Sequence, residues 1–287
     1  MYLFEALVVL HVICGATGLI AFWVPIASRK GGAAHRKWGR VATLAFIGAG
    51  ILAIAMALLS LYGPEERLPM ITDRVLFDGL FGWMMLYLGM LTIGFAVYGL
   101  AVVRHRANRA ALRAPHYLAL FGAVIASAAW CGYYGLMIAQ PLMAALAVVG
   151  LTAVATQLFY VWRPSAPPRA HVPEHFRALL GMGISAYTAF LSVGLIRLVP
   201  DHVFNPLIWA VPSIIGVSLI IRYTLAHRPR AGSGTRSVQR RQASESARMK
   251  DWIVNNLGII GMLMSGVLVL GFCAWQYWSV SRPDKGE

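Results

Sequence analysis

Read as alternating blocks of apolar and polar positions, the chain consists of eight long apolar runs separated by polar turns, at 4–27, 39–62, 75–103, 116–139, 142–162, 176–199, 204–225 and 254–280. Each run meets or exceeds the roughly 20 residues that a helix needs to cross a hydrocarbon core of roughly 30 Å. Helices are the only reading of such runs. A backbone in lipid must pair its polar groups within its own segment, and barrel strands are shorter and alternate in polarity. The pattern predicts an all-α integral membrane protein of eight transmembrane helices, with a third run long enough to tilt or protrude.

The polar turns set the expected threading. Arg29, Lys30, Arg36, Lys37 and Arg40 fill the first turn and Arg104, Arg106, Arg109 and Arg113 the third. Arg163, Arg169 and Arg177 mark the fifth; Arg228, Arg230, Arg236, Arg240, Arg241, Arg248 and Lys250 mark the seventh. These four turns hold 19 of the 25 Lys and Arg residues, against Arg67, Arg74, Arg282 and Lys285 on the other side. Short basic loops stay on the cytoplasmic side, so both termini are expected outside an inner, cytoplasmic membrane.

Composition agrees: 59% of residues are hydrophobic and only 13% charged, with a mean hydropathy of +0.65. The net charge of +14 would suit a nucleic-acid binder. Its placement at helix ends, without interleaved aromatic platforms, is explained instead by topology and anionic lipid headgroups, so the bilayer is the expected partner and nucleic acid is not. Homo- or hetero-oligomers in the membrane stay open.

Three domains are expected: a seven-helix membrane domain (1–226), a basic cytoplasmic linker (227–251), and the eighth helix with a short outer tail (252–287). The linker is rich in Ser, Gly, Arg and Gln and reads as disordered. The first run lacks a basic leader and a small-residue cleavage site and is expected to stay as a helix. Cys14, Cys131 and Cys273 lie within runs without CxxC spacing, so they read as packing residues and neither a zinc site nor a disulfide framework is indicated.

An internal repeat is the most specific pattern. Residues 116–141 align without a gap on 175–200, matching His116 with His175, Gly122 with Gly181, Gly135 with Gly194 and Pro141 with Pro200. Runs three-four and five-six are therefore expected as duplicated hairpins of parallel orientation, unlike the inverted repeats common in rocking transporters.

Two groups of residues carry candidate chemistry. His35, His116 and His175 stand at the cytoplasmic starts of runs two, four and six, the matched depth that two axial ligands of one haem b would need. Taken singly, each reads first as an interfacial imidazole; the repeated pair His116 and His175 is the stronger candidate. Toward the other face, His11 lies about 10 Å deep at 1.5 Å per residue. Asp78, Arg197, Trp130 and Tyr134 share its leaflet and could line a polar cavity. An ionisable residue at such depth is a site hypothesis by default, although a structural ion pair and an aromatic belt explain the others as readily.

The segments LHVICGATGLIAFWVP, KGGAAHRKWGR and HFRALLGMGISAYTAFLSVGLIR together resemble a family of uncharacterised bacterial multi-pass membrane proteins, through His11, His35, Arg36, Gly39, Arg40, His175 and Arg197. The resemblance implies a polytopic inner-membrane protein and brings no activity with it. The chain lacks G-x-S-x-G, H-E-x-x-H and phosphate-binding glycine loops. Two functions from different classes follow: a haem b or quinone-linked electron-transfer protein, or a protein that binds or transports a small solute in an outward polar cavity.

Overall fold

The computed structural model describes residues 2–62, 73–166, 169–191 and 206–226. Among them every regular element is helical. The order is α1 (Tyr2–Ala27), α2 (Ala33–Tyr62), α3 (Arg74–Phe77), a π-helical segment (Asp78–Met84), α4 (Met85–Arg104), a 3-10 turn (Arg109–Arg113), α5 (Pro115–Met137), α6 (Pro141–Trp162), α7 (His171–Ala189) and α8 (Pro206–Ala226). Among the described residues five helices are long and apolar enough to cross a membrane, with α3, the π segment and α4 forming one continuous span, Arg74–Arg104. The eighth run, the linker at 227–251 and Arg197 lie outside the described residues.

Hydropathy marks the lipid-facing part of a helix and not its start. α2 begins at Ala33, before the apolar run, because Ala, Arg and Lys are good helix formers. Gly31 makes the turn before it at a φ of 75°, which glycine adopts without strain. His35 is thereby in the first turn of α2 and not ahead of the helix. α7 likewise begins at His171, which moves His175 a full turn inside. Pro115 and Pro141 occupy the first positions of α5 and α6, where a missing N–H costs nothing.

The span through α4 is the centre of the bundle: 67% of its apolar window is buried, against 17–33% for the other spanning helices. α4 packs against α2, α5 and α7; α1 lies on α2, α6 on α5 and α8 on α7. At the α2–α4 crossing the backbones touch through glycine. A Cβ on Gly50 would stand 3.1 Å from the Gly89 carbonyl oxygen, and one on Gly89 2.9 Å from that of Gly50. Small residues are what permit such an approach between membrane helices. α4 and α7 are joined by a hydrogen bond between the Thr92 and Ser185 hydroxyls at 3.0 Å.

The two hairpins expected as duplicates are not both packed pairs. α4 and α5 are in contact, but α6 folds back on α5 and α7 crosses to α4. A tight turn at Ala139, with a φ of 54°, brings Gly132 and Gly135 of α5 against Ala147 and Met143 of α6. The longer connector after Trp162 lets α7 leave for the centre.

Arginines of the third polar turn close the end of α6. Arg113 donates to the Val161 carbonyl through Nε at 3.3 Å and Nη2 at 3.1 Å; Arg109 donates to the carbonyls of Arg163 and Pro164. The last carbonyls of a helix have no partner within it, and a cation satisfies both their hydrogen bonding and their partial charge. Loop arginines expected to face lipid headgroups are thus turned onto a helix end.

Candidate functional site

The end of the bundle that bears these arginines also brings His35 and His175 together. Their ring centroids lie 6.5 Å apart at an interplanar angle of 66°. Each ring is held by a backbone carbonyl from a different helix: His35 Nδ1 lies 3.0 Å from the Pro25 oxygen and His175 Nδ1 2.7 Å from the Gly99 oxygen. A carbonyl only accepts, so both Nδ1 atoms carry the proton, and in a neutral ring Nε2 then holds the free lone pair. No described residue hydrogen-bonds to either Nε2. An Nδ1–H on a backbone carbonyl is the arrangement that orients metal-ligating imidazoles.

Among the described residues no ring contact or hydrogen bond joins His116 to them. It lies on the exposed start of α5 with its ring 4.1 Å from that of Tyr117, so of the three expected histidines the ring contact is between His35 and His175. The repeat aligns sequence positions, but α5 and α7 meet different neighbours, so equivalent histidines acquire different surroundings. His171 precedes His175 by one turn on α7. Desolvation, then Arg106 and Arg169 beside it, push its pKa below the ordinary histidine value. Among the described residues no three His, Cys, Asp or Glu side chains converge as a metal-holding group.

On the other flank of the α4–α7 contact lies a buried cluster not expected from the sequence. Glu174 accepts from Arg177 Nη1 at 3.0 Å and from the Tyr98 hydroxyl at 3.1 Å. Arg177 is only 7% exposed, and its Nε has no partner among the described residues. Tyr160, also buried, approaches from α6, with Arg109 stacked 5.6 Å over its ring. Arg177, counted by its position as a loop charge, is inside the protein. The signal available in sequence was HVPEHFR, in which an acid and a base fall three apart, on one face of a helix that begins before the apolar run.

The group expected to line an outward cavity is only partly assembled among the described residues. His11 Nδ1–H donates to the Ala49 carbonyl at 2.9 Å and ties α1 to α2. Asp78 is engaged by Arg74, whose Nε lies 3.1 Å from both carboxylate oxygens. Tyr134 donates to the Val75 carbonyl at 3.3 Å, and Trp83 sits against both Trp130, at 5.4 Å, and Tyr134, at 6.3 Å. No hydrogen bond, ion pair or ring contact among the described residues joins His11 to Asp78, Tyr134 or Trp130.

Between α4, α6, α7 and α8 lies an apolar cleft of about 90 Å³, walled by Tyr87, Leu91, Phe95, Val149, Ile184 and Val217. Tyr87 is fully buried and donates to the Leu146 carbonyl at 2.7 Å, over Gly150, where any Cβ would collide with its hydroxyl. Compared with known proteins, the chain finds no counterpart: no protein-family model, no curated protein and no solved structure matches it.

Proposed function

We propose that the chain is an eight-span inner-membrane protein with both termini outside, and that it carries electrons through a haem b held by His35 and His175. The observation that carries this reading is the pair of imidazoles from two helices, each with its Nδ1–H fixed on a carbonyl and its Nε2 lone pair free. His35 and His175 would be the two residues that hold the haem, each presenting an imidazole whose Nδ1 is already tied to a carbonyl. Structural zinc requires four protein ligands and catalytic zinc three, whereas haem would need only one or two side chains from the protein. A pair without a third ligand therefore suits haem better than a bare ion.

Bound there, haem supplies one-electron transfer at the end of the bundle where the basic turns gather. The protein's part is orientation. Pro25 on α1 and Gly99 on α4 lend the carbonyls that fix the rings of His35 on α2 and His175 on α7 and their tautomers. A membrane-dissolved quinone is the electron partner suited to an apolar path. Among the described residues, His11 and Asp78 are each engaged by separate neighbours, so the imidazole pair is the observation that favours the haem reading over the solute one.

The test is an optical spectrum of the purified protein from haem-replete cells, oxidised and then reduced with dithionite. The expected result is a sharp reduced band in the wild type that is lost in both His35→Ala and His175→Ala. A colourless wild-type protein would sink the reading.

A further inference from the structure

Lys30 stands beside the carbonyl that holds His35. α1 ends at Ala27, so the carbonyls of Pro25 and Ile26 lie in its last turn and lack helical partners. Lys30 Nζ donates to both, at 2.8 Å and 2.6 Å. The Pro25 oxygen therefore accepts from two groups at once, the Lys30 ammonium and His35 Nδ1–H. The ammonium also lies 4.9 Å from the ring centre of Tyr223, whose hydroxyl donates to the Ile26 carbonyl at 3.1 Å. The Tyr223 ring in turn packs 5.9 Å from Phe176, the residue after His175. Arg36 of the same basic turn is directed elsewhere, with Nη1 on the Gly31 carbonyl at 2.7 Å.

We propose that Lys30 is a positioning residue for His35, sharing the Pro25 carbonyl with its Nδ1–H and raising the reduction potential of the centre that the imidazole pair holds. The proposal rests on the haem reading above. Two effects act in the same direction. A fixed positive charge favours the state that has gained one electron. A carbonyl already engaged by an ammonium accepts less from Nδ1–H, which leaves the imidazole a weaker electron donor to the oxidised iron; outer partners of a ligand act on the metal in this way.

The experiment is a potentiometric titration of the full chain with haem bound, followed by the reduced band, for the wild type, Lys30→Met, Lys30→Arg and Tyr223→Phe. At the wild-type midpoint, Lys30→Met is expected to lower the reduced-to-oxidised ratio at least threefold, about 28 mV on a scale of 59 mV per decade for one electron. Lys30→Arg keeps charge and donors and is expected to restore the ratio. Tyr223→Phe, which disturbs the same corner without touching the charge, is expected to leave it unchanged. If Lys30→Met does not retain haem, Lys30→Gln, uncharged but still a donor, takes its place with the same expected fall. An unchanged midpoint in a haem-loaded uncharged variant, or an equal fall in Lys30→Arg, overturns the role of Lys30 while the haem reading stands. A wild type without the band overturns both.

Discussion

Glu174 and Arg177 meet at 3.0 Å inside the bundle, one helical turn apart, with the Tyr98 hydroxyl completing the carboxylate's second oxygen. An ion pair removed from water is costly to form but far costlier to halve. Removing one partner of such a pair typically costs about 3–5 kcal/mol, because the other charge stays buried. Arg177→Met is therefore expected to lower stability by about that amount, and the double variant with Glu174→Gln to recover much of it. Unfolding of the detergent-solubilised protein measures both. Equal losses in the single and the double variant would mean that the carboxylate is not left stranded.

His116→Ala is expected to leave the reduced band and the unfolding temperature as in the wild type. Among the described residues its ring meets Tyr117 alone, at the exposed start of α5, and surface substitutions of this kind usually change stability by less than about 0.5 kcal/mol. Loss of the band in this variant would return the repeated pair, His116 and His175, to the site.

Gly150→Ala is expected to destabilise by about 1–3 kcal/mol, the usual cost of overpacking a close contact. The added methyl meets the Tyr87 hydroxyl, which is fixed on the Leu146 carbonyl. Tyr87→Phe in the same chain removes the clashing oxygen and should recover part of the loss; a double-mutant cycle reads the coupling.

Arg113→Met leaves the Val161 carbonyl without its two guanidinium donors and is expected to cost about 1–3 kcal/mol, as for an unsatisfied buried acceptor. Limited proteolysis of the connector after Trp162 should quicken in this variant. An unchanged cleavage rate would show that the end of α6 does not depend on Arg113.

The helical class and five of the eight expected spanning helices were legible because each element advertises itself locally, through a continuous apolar run that needs no knowledge of its neighbours. Helix starts were less legible: Ala33 and His171 begin helices in polar sequence, which hydropathy passes over. The site was legible in residue type and depth but not in pairing. His35 and His175 are 140 positions apart, and only the packing of α4 between α2 and α7 brings them within reach. The Glu174–Arg177 cluster was hidden for a related reason. Its burial is decided by Tyr98 and Tyr160 on other helices, while in sequence the two charges merely border an apolar run.

The π-helical segment Asp78–Met84 has a consequence for how this protein tolerates change. A π turn closes on the fifth residue where an α turn closes on the fourth, so it absorbs surplus residues without breaking the span. The stripe formed by Tyr87, Leu91, Tyr98 and Val102 on α4 is thereby uncoupled in phase from Arg74 and Phe77 on α3. Shortening the segment by one residue could restore an ordinary helix, but would rotate everything before it by about 100°. Asp73, whose side chain caps the start of α3, would then be carried away from its present side of the bundle. A one-residue change within the segment is thus expected to move the end that carries Asp73 and to leave the register of α4 beside the histidine pair in place.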